Sequence, residues 1–409
     1  MTTGSASPVS AEVQDAAVEE PRRIRISGER PRTPTRVLFF NEGNLGTHVL
    51  GHDRHAAAMQ AGSESIGEVY TRHAELLPMG RVSRAIAYRN FGPLTTRHLD
   101  FRALRWQVVQ SQRARLTIER ELRDWPADVI HIHSHAVGLT MAATMRRVPV
   151  ALSVDATVRD WWGMPAWRPS ESYAPLTIAP SRVLERRALS RASVVLACTR
   201  WAQRAIEASA PRARVSEHHP GIDVKRFAPA PHRERELPRV LFVGGRFAEK
   251  GGEDLLGALA QELGEAVELD VVTPADVPAR PGVRVHRLGP SDPELLDLLQ
   301  QADLLCLPTY GDSNPWAVLE AMSCGTPVVA SDVGGIAEML RQGEAGAIVP
   351  CGDRRGLRET LLALLADPER RRALGRRGRE ISERNYDAVV QFGRLAEHLR
   401  GAIEHHRGG

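Results

Sequence analysis

From Arg36 onward the chain alternates short aliphatic or β-branched runs with stretches of helical length. The runs of the first half are RVLFF (36 to 40), DVIHIH (128 to 133), PVALSVD (149 to 155) and SVVLAC (193 to 198). Apolar residues at consecutive positions, rather than at every second one, suit strands covered on both faces. The pattern therefore predicts parallel sheets with helices on either side. The second half restarts in the same way with RVLFV (239 to 243), followed by VELDVV, VRVHRLG, LLCLPT, TPVVAS and AGAIVP. Each half opens on a strand that runs into a glycine-rich turn, RVLFFNEGNLG and RVLFVGGRFAEKGG. The expected fold class is α/β, with two doubly wound Rossmann-like domains whose loops gather at the carboxyl ends of the strands.

The pattern also divides the chain. Residues 1–33 are rich in Ser, Pro, Ala, Glu and Arg, lack the apolar core of a signal peptide, and read as a disordered leader. The first domain is expected over 34–218 and the second over 238–385, with a Pro- and charge-rich linker at 219–237 between them. From Tyr386 to the end the periodicity is helical. The arginine-rich stretch from Tyr70 to Trp125 is the least regular part. As an amphipathic helix it would press on an anionic membrane surface or on a phosphate-bearing acceptor; as a solvated face it has no partner.

Composition narrows the class of function. Lys and Arg total 54 against 50 Asp and Glu, a net charge of +4, so the chain is no polycation and nucleic acid is not implied. Only two of the basic residues are lysines, Lys225 and Lys250, which makes each position worth inspecting. The four cysteines stand far apart without a CxxC pair, which suggests neither a zinc site nor a disulfide scaffold and fits a reduced, cytoplasmic compartment. No run of about 18 apolar residues is present to span a membrane.

The richest stretch for chemistry is PTYGDSNPWAVLEAMSCGTPVVASDVGG (308 to 335). Asn314 as N-cap, Pro315 at the first helical position and Gly325 just past the end predict a helix of about three turns. The amides of Trp316, Ala317 and Val318 would then lack intrahelical partners and form an anion site suited to a diphosphate. Asp312 and Glu320 bracket that start. Among apolar neighbours Glu320 needs partners, which the hydroxyl pair of a sugar would supply, unless it turns outward to solvent.

In VGGRFAEKGG (243 to 252), Gly244 and Gly245 permit close backbone approach, and a turn of helix would bring Arg246 and Lys250 to one side. Two such cations would neutralise charge on a departing phosphate. Gly251 follows the lysine, so this is not a Walker A loop. His131, His133 and His135 alternate, hence share a face if the strand persists. A metal is disfavoured, since no further constellation of ligands accompanies them; a histidine at a strand's carboxyl end, pointing into a cleft, is the better reading. Gly43 and Gly46 in the first βα turn support at most a phosphate or sugar loop, or an acceptor loop.

Taken together these motifs resemble the retaining nucleotide-sugar glycosyltransferases of family four, which have the GT-B fold. The PGID turn (220 to 223) with Phe227, Arg246, Lys250 with Gly251, LEAMSCGTPVVASDVGG and GAIVPCGD carry the resemblance. It implies two facing domains across a cleft, with the nucleotide on the second, the acceptor on the first, and a final helix crossing back to the first. It further implies that Arg246 and Lys250 hold the donor diphosphate and that Glu320 binds the ribose hydroxyls. Asp312 stands where a Glu is usual and would contact the donor sugar. Pro315 replaces a glycine and has no amide to give, which shifts phosphate contact to Trp316, Ala317 and Val318. His133 would lie beside the transferred sugar, and Asp155 near where relatives carry another histidine.

The implied reaction is front-face transfer from a nucleotide-diphosphate sugar, UDP-linked by family habit, with no metal or cofactor. The acceptor, a glycan, lipid or small molecule, is left open, as is peripheral contact with anionic membrane. Two other readings use the same residues: a non-catalytic sugar-nucleotide-binding subunit, and a GT-B epimerase or phosphorylase.

Overall fold

The computed structural model describes residues 35–41, 69–76, 79–89, 99–167 and 173–408. Among them, two six-stranded parallel sheets form, as the restarted pattern predicts. The first contains β1 (Thr35–Asn41), β2 (Val69–Glu75), β3 (Val129–His133), β4 (Val150–Val154), β5 (Val194–Ala197) and β6 (Val215–Glu217), in the order β2-β1-β3-β4-β5-β6. The second contains β7 (Arg239–Val243), β8 (Glu268–Val272), β9 (Val283–His286), β10 (Leu304–Leu307), β11 (Val328–Ser331) and β12 (Gly346–Val349), in the order β12-β11-β10-β7-β8-β9. In both sheets the order reverses beside the first strand of the half, the place where a doubly wound sheet opens a crevice at its carboxyl ends.

Strands covered on both faces are buried along their whole length: every residue of β4, β5, β10 and β11 is buried. Leu38, Phe40, Ile130, Ile132 and Leu152 face one way, into a core with Ile118, Val137 and Met141. The alternate residues Val37, Phe39, Val129, Ala151 and Leu196 face the other way, onto Phe392, Leu395, Leu399 and Ala402 of the terminal helix Ala388–Gly408. The end of the chain thus supplies the outer layer of the sheet that begins it. A short parallel bridge between Ile222 and Asp387 lies where the two crossing segments meet, with the Ile222 amide donating to the Tyr386 carbonyl and the Ala388 amide to the Ile222 carbonyl.

Two strands depart from the sequence reading. The Tyr70 to Trp125 stretch is not one amphipathic helix: it opens inside the edge strand β2, and the helices Arg81–Tyr88 and Arg102–Asp124 follow. An edge strand needs few buried residues, here Val69 and Ala74, so VYTRHAE carries no apolar run to betray it. Likewise β6 has only three residues, none fully buried. The predicted leader lies outside the described residues.

The halves also touch through polar groups. The Ala166 amide donates to the Tyr310 carbonyl at 3.1 Å, and Ser313 Oγ donates to Asp155 Oδ2 at 2.9 Å. Glu338 of the second half accepts the amides of Arg200 and Trp201 at 2.8 and 3.1 Å, capping the helix Arg200–Ser209 of the first. A carboxylate there satisfies orphan amides and meets the positive end of the helix dipole. Glu338→Ala is expected to cost about 1 kcal/mol, reduced by partial exposure, and to lower the urea midpoint. An unchanged midpoint would show that the cap adds nothing to stability.

Candidate functional site

Just after β7 the Lys250 amide donates to the Arg246 carbonyl at 2.9 Å, and this single turn sets the two cations on one side. The turn closes at Gly251, with φ of +78°, where a Cβ would lie 2.0 Å from the Pro308 carbonyl oxygen. Only glycine accommodates that approach of two loops. Lys250 then reaches the loop after β10: Nζ donates to the Gly311 carbonyl at 3.1 Å and pairs with Asp312 Oδ2. The cation and the acid that the sequence assigned to different parts of a donor thus meet each other. Arg246 instead lies over the ring of Trp167, 4.4 Å from its centre.

The helix that follows is Trp316–Ser323, two turns rather than three. Pro315, not Asn314, is its N-cap, and Gly325 is left-handed just beyond Cys324. Asn314 is held outside because its amide donates to Asp312 Oδ1 at 3.2 Å. The first turn also tightens: the Val318 amide donates to the Pro315 carbonyl at 3.2 Å. Val318 therefore has no spare amide, contrary to expectation, and the helix opens on the cavity through Trp316 and Ala317. Glu320 does not turn outward. It is 1% exposed, packed within the helix's buried face.

From the first half, β3 and β4 end at the same crevice. His133 and Asp155 line it, but His131 does not share it. The His131 side chain is fully buried, with Nε2 2.8 Å from Ser153 Oγ and its ring edge-on to Phe39. Burial first, and His73 second, push its pKa down to about 3, so it is neutral. Beside His133, Ser134 has φ of +110°, a strained conformation for a residue with a Cβ, held by its amide donating to the Ser153 carbonyl at 2.9 Å.

Arg246, Lys250, Gly245, Asp312, Trp316, Ala317, His133 and Asp155 all line one cavity of about 490 Å³ between the carboxyl ends of the two sheets. Its size suits a substrate site. Val318 and Glu320 lie behind it, and Gly43 and Gly46 fall outside the described residues. Among the described residues no three His, Cys, Asp or Glu side chains are grouped to hold a metal ion. The thiols offer no ready nucleophile: burial raises the pKa of Cys198, Cys306 and Cys324. No described helix is long and apolar enough to cross a membrane.

Sequence reasoning passed over the indoles. Trp106, Trp161, Trp162 and Trp167 line the same cavity, as do Ser134 and Ser313. The WWGMPAW run soon after β4 was the available signal; a strand's carboxyl-end loop is where a doubly wound sheet puts its binding residues.

Two sequence profiles match the chain: one described as Glycosyltransferase Family 4 over residues 52–226, the other as Glycosyl transferases group 1 over 237–367. The D-inositol 3-phosphate glycosyltransferase of Thermobispora bispora is 33% identical over 225 residues, 48% of this chain and 52% of that one. The enzyme of the same name from Nocardia farcinica is 28% identical over an alignment of 409, covering 88% and 85%. The chain spans about half the length of the Thermobispora protein and of similarly named relatives. Among solved structures, sucrose-phosphate synthase from Thermosynechococcus elongatus superposes with a TM-score of 0.68 at 18% identity, covering 90% of this chain and 100% of that one. Anabaena HepE in complex with UDP and glucose superposes at 0.60 and 17% identity, covering 90% and 99%. These likenesses place the two facing sheets in the GT-B fold.

Proposed function

We propose that this chain, a glycosyltransferase whose first half matches Glycosyltransferase Family 4 and whose second half matches Glycosyl transferases group 1, moves a sugar from a nucleotide-diphosphate sugar, UDP-linked, to an acceptor hydroxyl with retained configuration and without a metal. The observation that carries this reading is the single cavity in which Arg246, Lys250 and the start of the Trp316–Ser323 helix face His133 and Asp155 of the other half.

The donor's diphosphate lies against Arg246, Lys250 and the helix start, where fixed positive charge and the helix dipole oppose its charge. The acceptor oxygen bonds to the anomeric carbon as the bond from that carbon to the diphosphate oxygen breaks, both on the same face. The hydroxyl proton passes to the departing phosphate oxygen, giving a glycoside and UDP. Charge accumulates on the phosphate, so the two cations act where the transition state needs them, in the place a divalent metal takes elsewhere. Asp312 orients Lys250 and borders the donor sugar. His133 borders that sugar from the acceptor side.

Thermal denaturation with UDP, GDP and ADP and their sugar conjugates, in EDTA, tests the donor. A ligand of the native state at one hundred times its dissociation constant adds about 2.7 kcal/mol. The expected result is a rise in Tm with UDP compounds that Lys250→Ala diminishes. No shift with any nucleotide, in protein that unfolds cooperatively, would overturn the reading.

A further inference from the structure

Five of the chain's seven tryptophans line the cavity: Trp106, Trp161, Trp162, Trp167 and Trp316. Their placement is built by the fold. Trp106 stands in the opening turns of the helix Arg102–Asp124, its indole nitrogen donating to the Tyr88 hydroxyl at 3.1 Å. Trp161 and Trp162 sit on the short helix Val158–Gly163, capped by Thr157, and Trp167 on the turn Pro165–Trp167. Trp161 and Trp167 meet edge to face, with ring centres 5.6 Å apart at 68°. Ala103 and Val158 line the same cavity.

Trp167 is committed to Arg246 and to the loop at Gly311, where a Cβ would lie 2.4 Å from its indole nitrogen. Trp106, Trp161 and Trp162 form the wall beyond it, none of them fully buried. Indoles held against water by their backbone lose hydrophobic stabilisation that a flat apolar partner restores, and stacking adds to it. Among the described residues, the polar groups that line this side are Gln107, His133, Ser134 and Asp155, the last already accepting from Ser313. A sugar or cyclitol needs a partner for each hydroxyl and a phosphate needs a cation. Among the described residues, the arginine and lysine that line the cavity, Arg246 and Lys250, stand on the donor side.

We infer that the acceptor is a flat apolar ring system, aromatic or polycyclic, bearing the hydroxyl that is glycosylated, and that Trp106, Trp161 and Trp162 grip its faces. This rests on the proposed transfer reaction and names its acceptor class. The ring lies along the indoles with its hydroxyl toward His133, and that hydroxyl's proton leaves with the departing phosphate.

The test is calorimetric titration of the full chain, with UDP present, using 2-naphthol, glucose, myo-inositol and inositol 3-phosphate as probes. Saturable binding of 2-naphthol is expected, weakened roughly tenfold by Trp162→Ala and by Trp106→Ala and largely restored by Trp162→Phe. The rise in Tm given by UDP should persist in all three variants. The inference is overturned if 2-naphthol does not bind, if neither alanine variant weakens it, or if the sugar or either inositol compound binds more tightly. Loss of the UDP shift in unsubstituted protein would instead bring down the donor reading, so the two failures are distinguishable.

Discussion

Lys250→Ala lowers turnover about 100- to 1000-fold, and Arg246→Ala does the same, each with its larger effect on kcat than on donor KM. The expectation follows from where charge develops. Each cation opposes negative charge that grows as the bond to the diphosphate breaks, so its loss is felt most in the transition state. The surroundings strengthen the case for Lys250: Nζ is fixed by Asp312 and the Gly311 carbonyl, so it needs no reorganisation during the reaction. Arg246 is held on the face of Trp167. Steady-state kinetics with both variants, checked for native folding by far-UV circular dichroism, would decide. Near-normal turnover in both removes the proposed mechanism.

Phe392→Ala destabilises the protein by about 3–5 kcal/mol, the range for truncating a large buried aromatic. Phe392 is 1% exposed, and its ring centre lies 6.3 Å from that of Phe39 in β1. Its loss opens a cavity between the terminal helix and the first sheet, too apolar for water to fill usefully. Hydrogen exchange gives the sharper readout. Amides of β3 and β4 should lose protection, while those of β10 and β11, in the other sheet, should keep more of theirs. Equal loss in both sheets would show that the terminal helix does not belong to the first unit's own core.

Much of the architecture was legible because its signals are local. VLFV (240 to 243) and LLCL (304 to 307) are apolar at every position, a pattern that suits strands covered on both faces. The turn at Arg246 and Lys250 was readable from a spacing of four, and the helix after Asp312 from its proline and its terminal glycine. The boundary of that helix was misplaced by one residue, because Asp312 takes the Asn314 amide and leaves Pro315 as the cap. The edge strand β2 was missed because an edge buries little and therefore writes little into its own pattern.

The site itself shows a sharper division. That Lys250, Arg246 and Asp312 are candidates for chemistry follows from residue type, spacing and the family resemblance of their motifs. That Lys250 pairs with Asp312, that Arg246 rests on Trp167, and that Ser313 binds Asp155 are facts of another kind. Residues 62 to 158 positions apart meet there only because two sheets face each other and the last helix returns to the first. Short-range order follows from propensity and periodicity, which act between neighbours in sequence; contacts across the cleft follow from how whole layers pack, which no window of the sequence contains.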